Sequence, residues 1–309
     1  MSILVENLTK SYGLQKAVNN ISFEVKTGEV VGFLGPNGAG KSTTMKMITC
    51  FLAPDAGNIQ LNEFNANSNP DEIKKHIGYL PENNPLYTDM PVIEYLRFCA
   101  EIHGMDSSEI RSRIREMVTV CGLNSEKHKK IGELSKGYRQ RVGLAQAMIH
   151  DPETLILDEP TSGLDPNQIV EIRKLIKQLG EEKTVILSSH ILSEVEATCD
   201  RILIINRGKI VADGTASTLR TRAQGQEVLT VQIEPKNSKN DVKKELLSLA
   251  SVESVQPDAN RKNFYQVQSK PDASSRKTIF DLCVKNEWYL MEMTGIETKL
   301  EDIFRELTN

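Results

Sequence analysis

The chain has no excess of positive charge: 38 Lys and Arg stand against 42 Asp and Glu, a formal net charge of −4 with a pI near 5.9. A protein whose main partner is nucleic acid usually carries a basic face, so no nucleic-acid partner is expected. Paired cysteines are also lacking. Cys50, Cys99, Cys121, Cys199 and Cys283 lie far apart and show no disulfide or zinc spacing, which points to reduced, buried thiols. No stretch approaches the ~18 consecutive apolar residues of a membrane-crossing helix. Met1–Glu6 places acid where a secretion signal carries base, so the chain is expected neither to enter nor to cross a membrane by itself. Sustained heptads are missing, which argues against long coiled coils.

What remains is an ordinary globular composition, 39% hydrophobic and 26% charged over 309 residues, enough for a large core and more than one domain. The most specific stretch is Gly35-Pro36-Asn37-Gly38-Ala39-Gly40-Lys41-Ser42, two glycines bracketing four residues, then Lys and Ser. Glycines let successive backbone N–H groups converge on a phosphate with no Cβ in the way, and the following helix adds its positive N-terminal end. Lys41 can then reach the β- and γ-phosphates, and Ser42 can ligate Mg²⁺. Gly28–Leu34 reads as a short buried strand and Thr43–Cys50 as a helix, the order such a loop requires.

Up to about Thr221 apolar strands alternate with helical segments, as in an α/β domain. Thr154–Leu157, Thr184–Leu187 and Arg201–Ile205 read as buried strands, whereas Ile3–Val5 and Ile21–Val25 have the short alternating pattern of antiparallel ones. Helical stretches near Val92–His103 and Ser107–Cys121 fill the long interval after the phosphate loop, so a helical subdomain of about 83–150 is expected there. The composition of Gly214–Gly225 suggests a linker. Beyond it the predicted order is a strand at Glu227–Glu234, a helix at Asn240–Ala250, strands at Val252–Val255 and Phe264–Gln268, a helix at Ala273–Asn286 and a strand at Trp288–Met293. That βαββαβ order predicts a small α+β ferredoxin-like domain over 222–309, closed by an amphipathic helix at Lys299–Leu307.

Leu155-Ile156-Leu157-Asp158-Glu159 is an apolar strand ending in two carboxylates. Beside a phosphate loop, Asp158 would hold Mg²⁺ through water and Glu159 would polarise the attacking water as general base. The plainer alternative is a pair of acids opening a helix. Leu134-Ser135-Lys136-Gly137-Tyr138-Arg139-Gln140-Arg141 opens a helix running through Ala147, so Ser135 and the Gly137 amide form an anion site. Ser162-Gly163-Leu164-Asp165 follows Glu159 almost at once, and Ser188-Ser189-His190 ends the next strand, where an imidazole can reach the γ-phosphate. A helix cap, a turn and a surface histidine are each common; this order and spacing together are not.

From Tyr12 to His190, about two-thirds of its length, the chain resembles the ATP-binding subunits of ABC transporters. The resemblance implies a P-loop NTPase fold of ABC type, with a mixed core sheet, an antiparallel edge sheet and an inserted helical subdomain. It implies ATP and Mg²⁺ as cofactors, with Gly35, Pro36, Asn37, Gly38, Ala39, Gly40, Lys41, Ser42 and Thr43 around the phosphates and Tyr12 stacked on adenine. A buried core tyrosine is the alternative for Tyr12. Ser135 and Gly137 would bind the γ-phosphate of ATP held by the opposite subunit, Asp165 would join the nucleotide-binding residues, and Lys41, Glu159 and His190 would serve catalysis. Two departures stand out. Lys136 and Tyr138 replace the commoner Gly and Gln, and Glu82, closing Ile77-Gly78-Tyr79-Leu80-Pro81-Glu82, replaces the usual Gln. A carboxylate there can ligate Mg²⁺ beside Ser42 and Asp158 but loses the amide's donors.

The Pro-Glu pairing is similar to exporter ATPases of the drug-resistance and sodium-export type, and the overall look is similar to a gliding-motility ATPase subunit. The implied partners are a second ATPase subunit, as a homodimer or a pair, and a separate integral-membrane permease. The implied location is the cytoplasmic face of the membrane. Asn83–Leu96 would receive a permease helix, although Leu86, Tyr87 and Tyr95 also fit ordinary helical packing. Non-transport ABC ATPases of translation or DNA repair, and a nucleotide-sensing regulator, are the alternatives.

Overall fold

The computed structural model describes residues 2–224, 227–236, 241–258, 261–270, 273–295 and 300–308. The chain starts with a hairpin, β1 (Ile3–Tyr12) and β2 (Gln15–Val25), whose apolar residues alternate inward. Both strands run well beyond the short segments legible in the sequence, because the hydrophobic alternation fades past Leu8 while the ladder continues to the Tyr12–Gln15 pair. Next come β3 (Val30–Leu34), α1 (Lys41–Ile48), β4 (Ala56–Leu61), β5 (Phe64–Asn65), α2 (Pro70–His76) and β6 (Ile77–Leu80). Helix α1 begins at Lys41, two residues before the predicted start, since the loop's lysine and serine already form its first turn. In α2, Pro70 opens the helix, Asp71 and Glu72 occupy the first turn and Lys74, Lys75 and His76 the last, each sign complementing the helix dipole.

Three helices follow: α3 (Val92–Ile102), α4 (Ser107–Val120) and α5 (Lys136–Met148). Asp106 caps α4 by accepting from the Ser108 N–H at 2.8 Å. Tyr95 is 4% exposed and its hydroxyl donates to Gln146 Oε1 at 2.7 Å, so it is a packing residue between α3 and α5 rather than a docking surface. Tyr87 is exposed and meets Tyr95 and Phe98 edge-on. The chain then alternates β7 (Thr154–Asp158), α6 (Pro166–Gly180), β8 (Thr184–Ser189), α7 (Leu192–Thr198), β9 (Arg201–Asn206) and β10 (Lys209–Gly214). Strands β7 and β8 are buried along their whole length, as expected for parallel strands covered on both faces.

Two sheets result. One is antiparallel, in the order β2-β1-β4-β5; the other runs β10-β9-β3-β8-β7-β6 and is parallel except at the β10 edge. Strand β3 lies between β8 and β9, so the phosphate loop leaves the middle of the sheet beside the ends of β7 and β8, at the carboxyl edge where α/β sheets bind ligands. Phe33, Ile156, Ile186 and Leu203 join both sheets' side chains in one core with Val5, Phe23 and Met45.

The segment that reads as a linker is not an open one: Ala216–Gln224 forms a helix, α8, with Leu219 buried. Its Ala, Leu, Arg and Gln are good helix formers, and this local propensity outweighs the polar composition. Gly225, where the expected linker ends, lies outside the described residues.

After α8 come β11 (Val228–Glu234), α9 (Val242–Leu247), β12 (Val252–Pro257), β13 (Phe264–Ser269), α10 (Arg276–Lys285), β14 (Tyr289–Gly295) and α11 (Leu300–Thr308). The predicted helix starts at Asn240 and Lys299 fall outside the described residues. The four strands form an antiparallel sheet in the order β12-β13-β11-β14 over a core of Leu229, Val231, Ile233, Val267, Ile279 and Trp288. The chain divides into two compact units, Met1–Ala216 with Phe304–Asn309, and Ser217–Ile303. All five cysteines are free, and burial drives the Cys121 thiol up to about 12, where it is inert. No helix among the described residues is long and apolar enough to cross a membrane.

Candidate active site

Residues 35–40 wrap around the start of α1. Gly40 sits at φ +112°, and a Cβ there would lie 2.4 Å from the Ala17 carbonyl; at Gly35 it would lie 2.4 Å from the Ile205 carbonyl. The loop is thus pressed against β2 and β9 with room for backbone only. Lys41 is 6% exposed, and its ammonium donates to the carbonyls of Gly35 at 2.8 Å and Pro36 at 3.3 Å. It stands 3.4 Å from Glu159 Oε1.

Strand β7 delivers the carboxylates. Asp158 is buried, and its Oδ1 accepts from Ser42 Oγ at 3.1 Å and from Ser188 Oγ at 2.6 Å. Glu159 belongs to no helix, which removes the reading of the two acids as a helix opening; its φ is +49°, a left-handed conformation uncommon for a glutamate. That twist turns its side chain away from Asp158's and toward the cleft. The Glu159 N–H donates to Ser188 Oγ at 2.9 Å, so Ser188 braces both acids. His190 Nδ1 lies 2.9 Å from Glu159 Oε2, and its ring is partly open to solvent. Glu159, itself 6% exposed, is therefore held between a lysine and a histidine.

Lys41, Glu159 and His190 border a cleft of about 490 Å³, lined also by Tyr12, Asn37, Gly38, Ser42, Thr43 and Glu82; Asp158 and Ser188 are not in its lining, and Asp158 is linked to it through the Ser42 hydroxyl. Tyr12 is 54% exposed at the turn end of the β1–β2 hairpin, free for stacking and not a core residue. Gln15, Ala17 and Ser162 also line the cleft. Gln15 and Ala17 carried no motif; their nearness to Tyr12 across the hairpin was the available signal. In the sequence Ser188 is only a near neighbour of His190, and its bridging role needs β7 and β8 side by side. Among the described residues no group of three His, Cys, Asp or Glu side chains could hold a metal alone. A hydroxyl beside a buried carboxylate, with Glu82 in the same cleft, is nevertheless a set of hard oxygen donors that fits Mg²⁺ when phosphate oxygens fill the remaining positions.

Ser135, Gly137 and Asp165 do not line this cleft. Ser135 is the N-cap of α5, its Oγ accepting weakly from the Tyr138 N–H at 3.4 Å. Asp165 is the N-cap of α6 and accepts from the Gln168 N–H at 3.0 Å. Gln168 packs against Gly137, where a Cβ would lie 2.5 Å from its amide carbon, and the Lys136 ammonium rests on Gly163. The two caps therefore form a second cluster, with two helix N-termini presented at the surface.

Phosphate loop, strand-end acids and histidine on this sheet define a P-loop ATPase of the cassette class. The ABC transporter family pattern matches residues 18–162. The chain is 34% identical over 310 residues to the linearmycin resistance ATP-binding protein LnrL of Bacillus subtilis (strain 168), covering 98% of this chain and 97% of that one. It is 35% identical over 311 residues to the bacitracin transport ATP-binding protein BcrA of Bacillus licheniformis, covering 99% and 98%. Among solved structures, a dimeric post-hydrolysis state of the cassette MJ0796 bound to ADP and Pi superposes with a TM-score of 0.63 at 27% identity, over 69% of this chain and 98% of that one. The protein belongs to the ATP-binding subunits of the ABC transporter family, and it binds and hydrolyses ATP.

Proposed function

We propose that this chain energises an exporter whose membrane-spanning permease is a separate chain, and that two ATPase subunits close face to face around two ATP molecules. The observation that carries the reading is the separation of the two clusters: the Lys41 cleft lacks Ser135, Gly137 and Asp165, which sit at the N-terminal ends of α5 and α6 elsewhere on the cassette. A two-fold pair would bring each cap cluster to the partner's cleft. Supporting this, one similar cassette is described as dimeric, 28% identical with a TM-score of 0.64 over 69% of this chain and 98% of that one. Relatives are described as serving linearmycin resistance and bacitracin transport. The subunit would work at the cytoplasmic face of the membrane, attached through the permease.

In this reading Tyr12 stacks on adenine, the amides of residues 35–43 and Lys41 cradle the phosphates, and Ser135 and Gly137 grip the γ-phosphate from across the interface. Ser42, Asp158 and Glu82 would hold Mg²⁺, which would supply positive charge to offset that of the phosphates. Glu159 accepts a proton from the attacking water, and His190 orients Glu159 and contacts the γ-phosphate. Because only the closed pair gains the contacts from Ser135, ATP favours closure and hydrolysis releases it. Residues 1–221 carry this chemistry, with about 83–150 as the helical subdomain facing the permease; the sheet and helices that follow, up to Ile303, make a ferredoxin-like accessory domain. The test is Glu159→Gln, expected to lower hydrolysis at least ~100-fold while retaining ATP binding and accumulating a closed dimer. Light scattering that shows only monomers with ATP would overturn the composite site.

A further inference from the structure

Glu194 lies on α7, away from the cleft, and is 6% exposed. A buried carboxylate is costly unless its oxygens are satisfied, so its partners indicate what it is there to hold. A single oxygen, Oε2, accepts from Thr161 Oγ1 at 2.6 Å and from Ser189 Oγ at 3.2 Å. These donors sit on the two segments that carry the reacting side chains. Thr161 is two residues past Glu159, in the turn where the Ser162 N–H donates to the Glu159 carbonyl at 3.1 Å. Ser189 immediately precedes His190. Its hydroxyl also accepts from the Ile191 N–H at 3.0 Å, bracing the chain on the far side of the histidine. Its carbonyl accepts from the Gly35 N–H at 3.4 Å, at the entrance of the phosphate loop.

We propose that Glu194 is a positioning residue for ATP hydrolysis: by gathering Thr161 and Ser189 on one carboxylate oxygen it sets the spacing between Glu159 and His190, which the structure places 2.9 Å apart. Glu159 needs such a brace more than most residues, because its left-handed backbone is a conformation the surroundings must impose. Glu194 itself does not touch nucleotide. Its loss lets the post-strand turn and the histidine segment drift relative to each other, while Lys41 and the phosphate loop still bind the substrate. Displacements near 1 Å in such constellations cost about 100-fold in rate.

The proposal rests on the reading of Glu159 as the general base, and the experiment separates the two. In the full-length chain, equilibrium ATP binding and steady-state hydrolysis are measured for wild type, Glu159→Gln, Glu194→Ala, Glu194→Gln and Thr161→Val. The expected result is kcat lowered about 10- to 100-fold in Glu194→Ala with ATP affinity within about threefold of wild type. Glu194→Gln should restore most of the rate, since a carboxamide oxygen accepts the same two hydroxyls. Thr161→Val, which removes one hydroxyl at nearly constant shape, should move kcat in the same direction by a smaller factor. An unchanged kcat in Glu194→Ala and Thr161→Val, or a parallel loss of binding and hydrolysis that Glu194→Gln does not repair, would overturn the positioning role. If Glu194→Ala is not recovered folded, Thr161→Val decides. Full activity in Glu159→Gln would instead refute the assignment of the base.

Discussion

The stacked rings of His103 and His150 offer a quantitative test of how the helical part of the cassette is held. Their centroids are 3.9 Å apart with planes 8° from parallel, joining the end of α3 to the segment between α5 and β7. His150 Nε2 meets the Ile77 carbonyl at 3.2 Å, while Nδ1 is buried with no hydrogen-bond partner. Protonating Nδ1 would therefore create a buried N–H and a charge with nothing to receive them, close to Arg113, whose guanidinium is committed to the Met148 and Ile149 carbonyls and Asp151. Burial first and then the His103 ring push His150 down to about 4 from 6.5; the hydrogen bond to Ile77 pulls the other way, followed by a smaller downward push from Arg113 and an upward pull from Asp151, and burial also lowers His103. The folded state keeps the ring neutral, so above pH 6.5 the group costs nothing. As pH falls below 6.5 the unfolded chain takes up a proton that the folded chain refuses, and stability drops until about pH 4. From pH 7 to pH 5 the loss comes to about 2 kcal/mol, reduced to about 1–2 kcal/mol for the ring's partial exposure. His150→Phe keeps a stacked ring without the titration, so its loss between these pH values should be smaller by that amount. The single tryptophan, Trp288, lies in the core of the second unit, so its fluorescence reports that unit; hydrogen exchange of the α5 amides reads the cassette. An identical pH dependence in the variant and the wild type would refute the reasoning.

Three further outcomes follow from the cleft. Gly40→Ala puts a Cβ 2.4 Å from a backbone carbonyl at a positive φ, so it should cost at least about 2 kcal/mol and more than tenfold in ATP affinity, read by titration with a fluorescent analogue. Tyr12→Ala should weaken ATP binding about tenfold through lost stacking, with Tyr12→Phe close to wild type; equal weakening in both would assign the effect to the hydroxyl. Glu82→Ala should raise the Mg²⁺ concentration needed for half-maximal hydrolysis by about tenfold or more, and chelation with EDTA should abolish activity in every variant. Unchanged Mg²⁺ dependence in both Glu82→Ala and Glu82→Gln would remove Glu82 from the metal side.

Particular residues show where sequence reading succeeds. Residues 35–42 are a local code: glycines, a lysine and a serine at fixed spacing suffice to shape a loop at the head of a helix, whatever surrounds it. The buried strands β7, β8 and β9 were equally legible, because a short unbroken apolar run has few other places to go. The boundary between the two units falls inside Gly214–Gly225, but the segment there is helical, because its local helix propensity is not visible in a polar composition. Tyr95 was ambiguous because a helix's sequence does not say which of its faces meets a neighbour.

The sequence by itself determined the chemistry available to this protein, since side-chain type and short-range spacing are covalent facts: a phosphate loop, two acids at a strand end, a histidine after the next strand, and two helix caps. Only the tertiary structure decided which of these meet. Parallel pairing of β7 with β8 brings Ser188 onto Asp158 and His190 onto Glu159, about thirty residues apart in the chain. The same packing seats Glu194 under Thr161 and Ser189 and leaves Ser135 and Asp165 outside the Lys41 cleft. Contacts between remote segments depend on register and burial across the whole sheet, which no local stretch of sequence encodes.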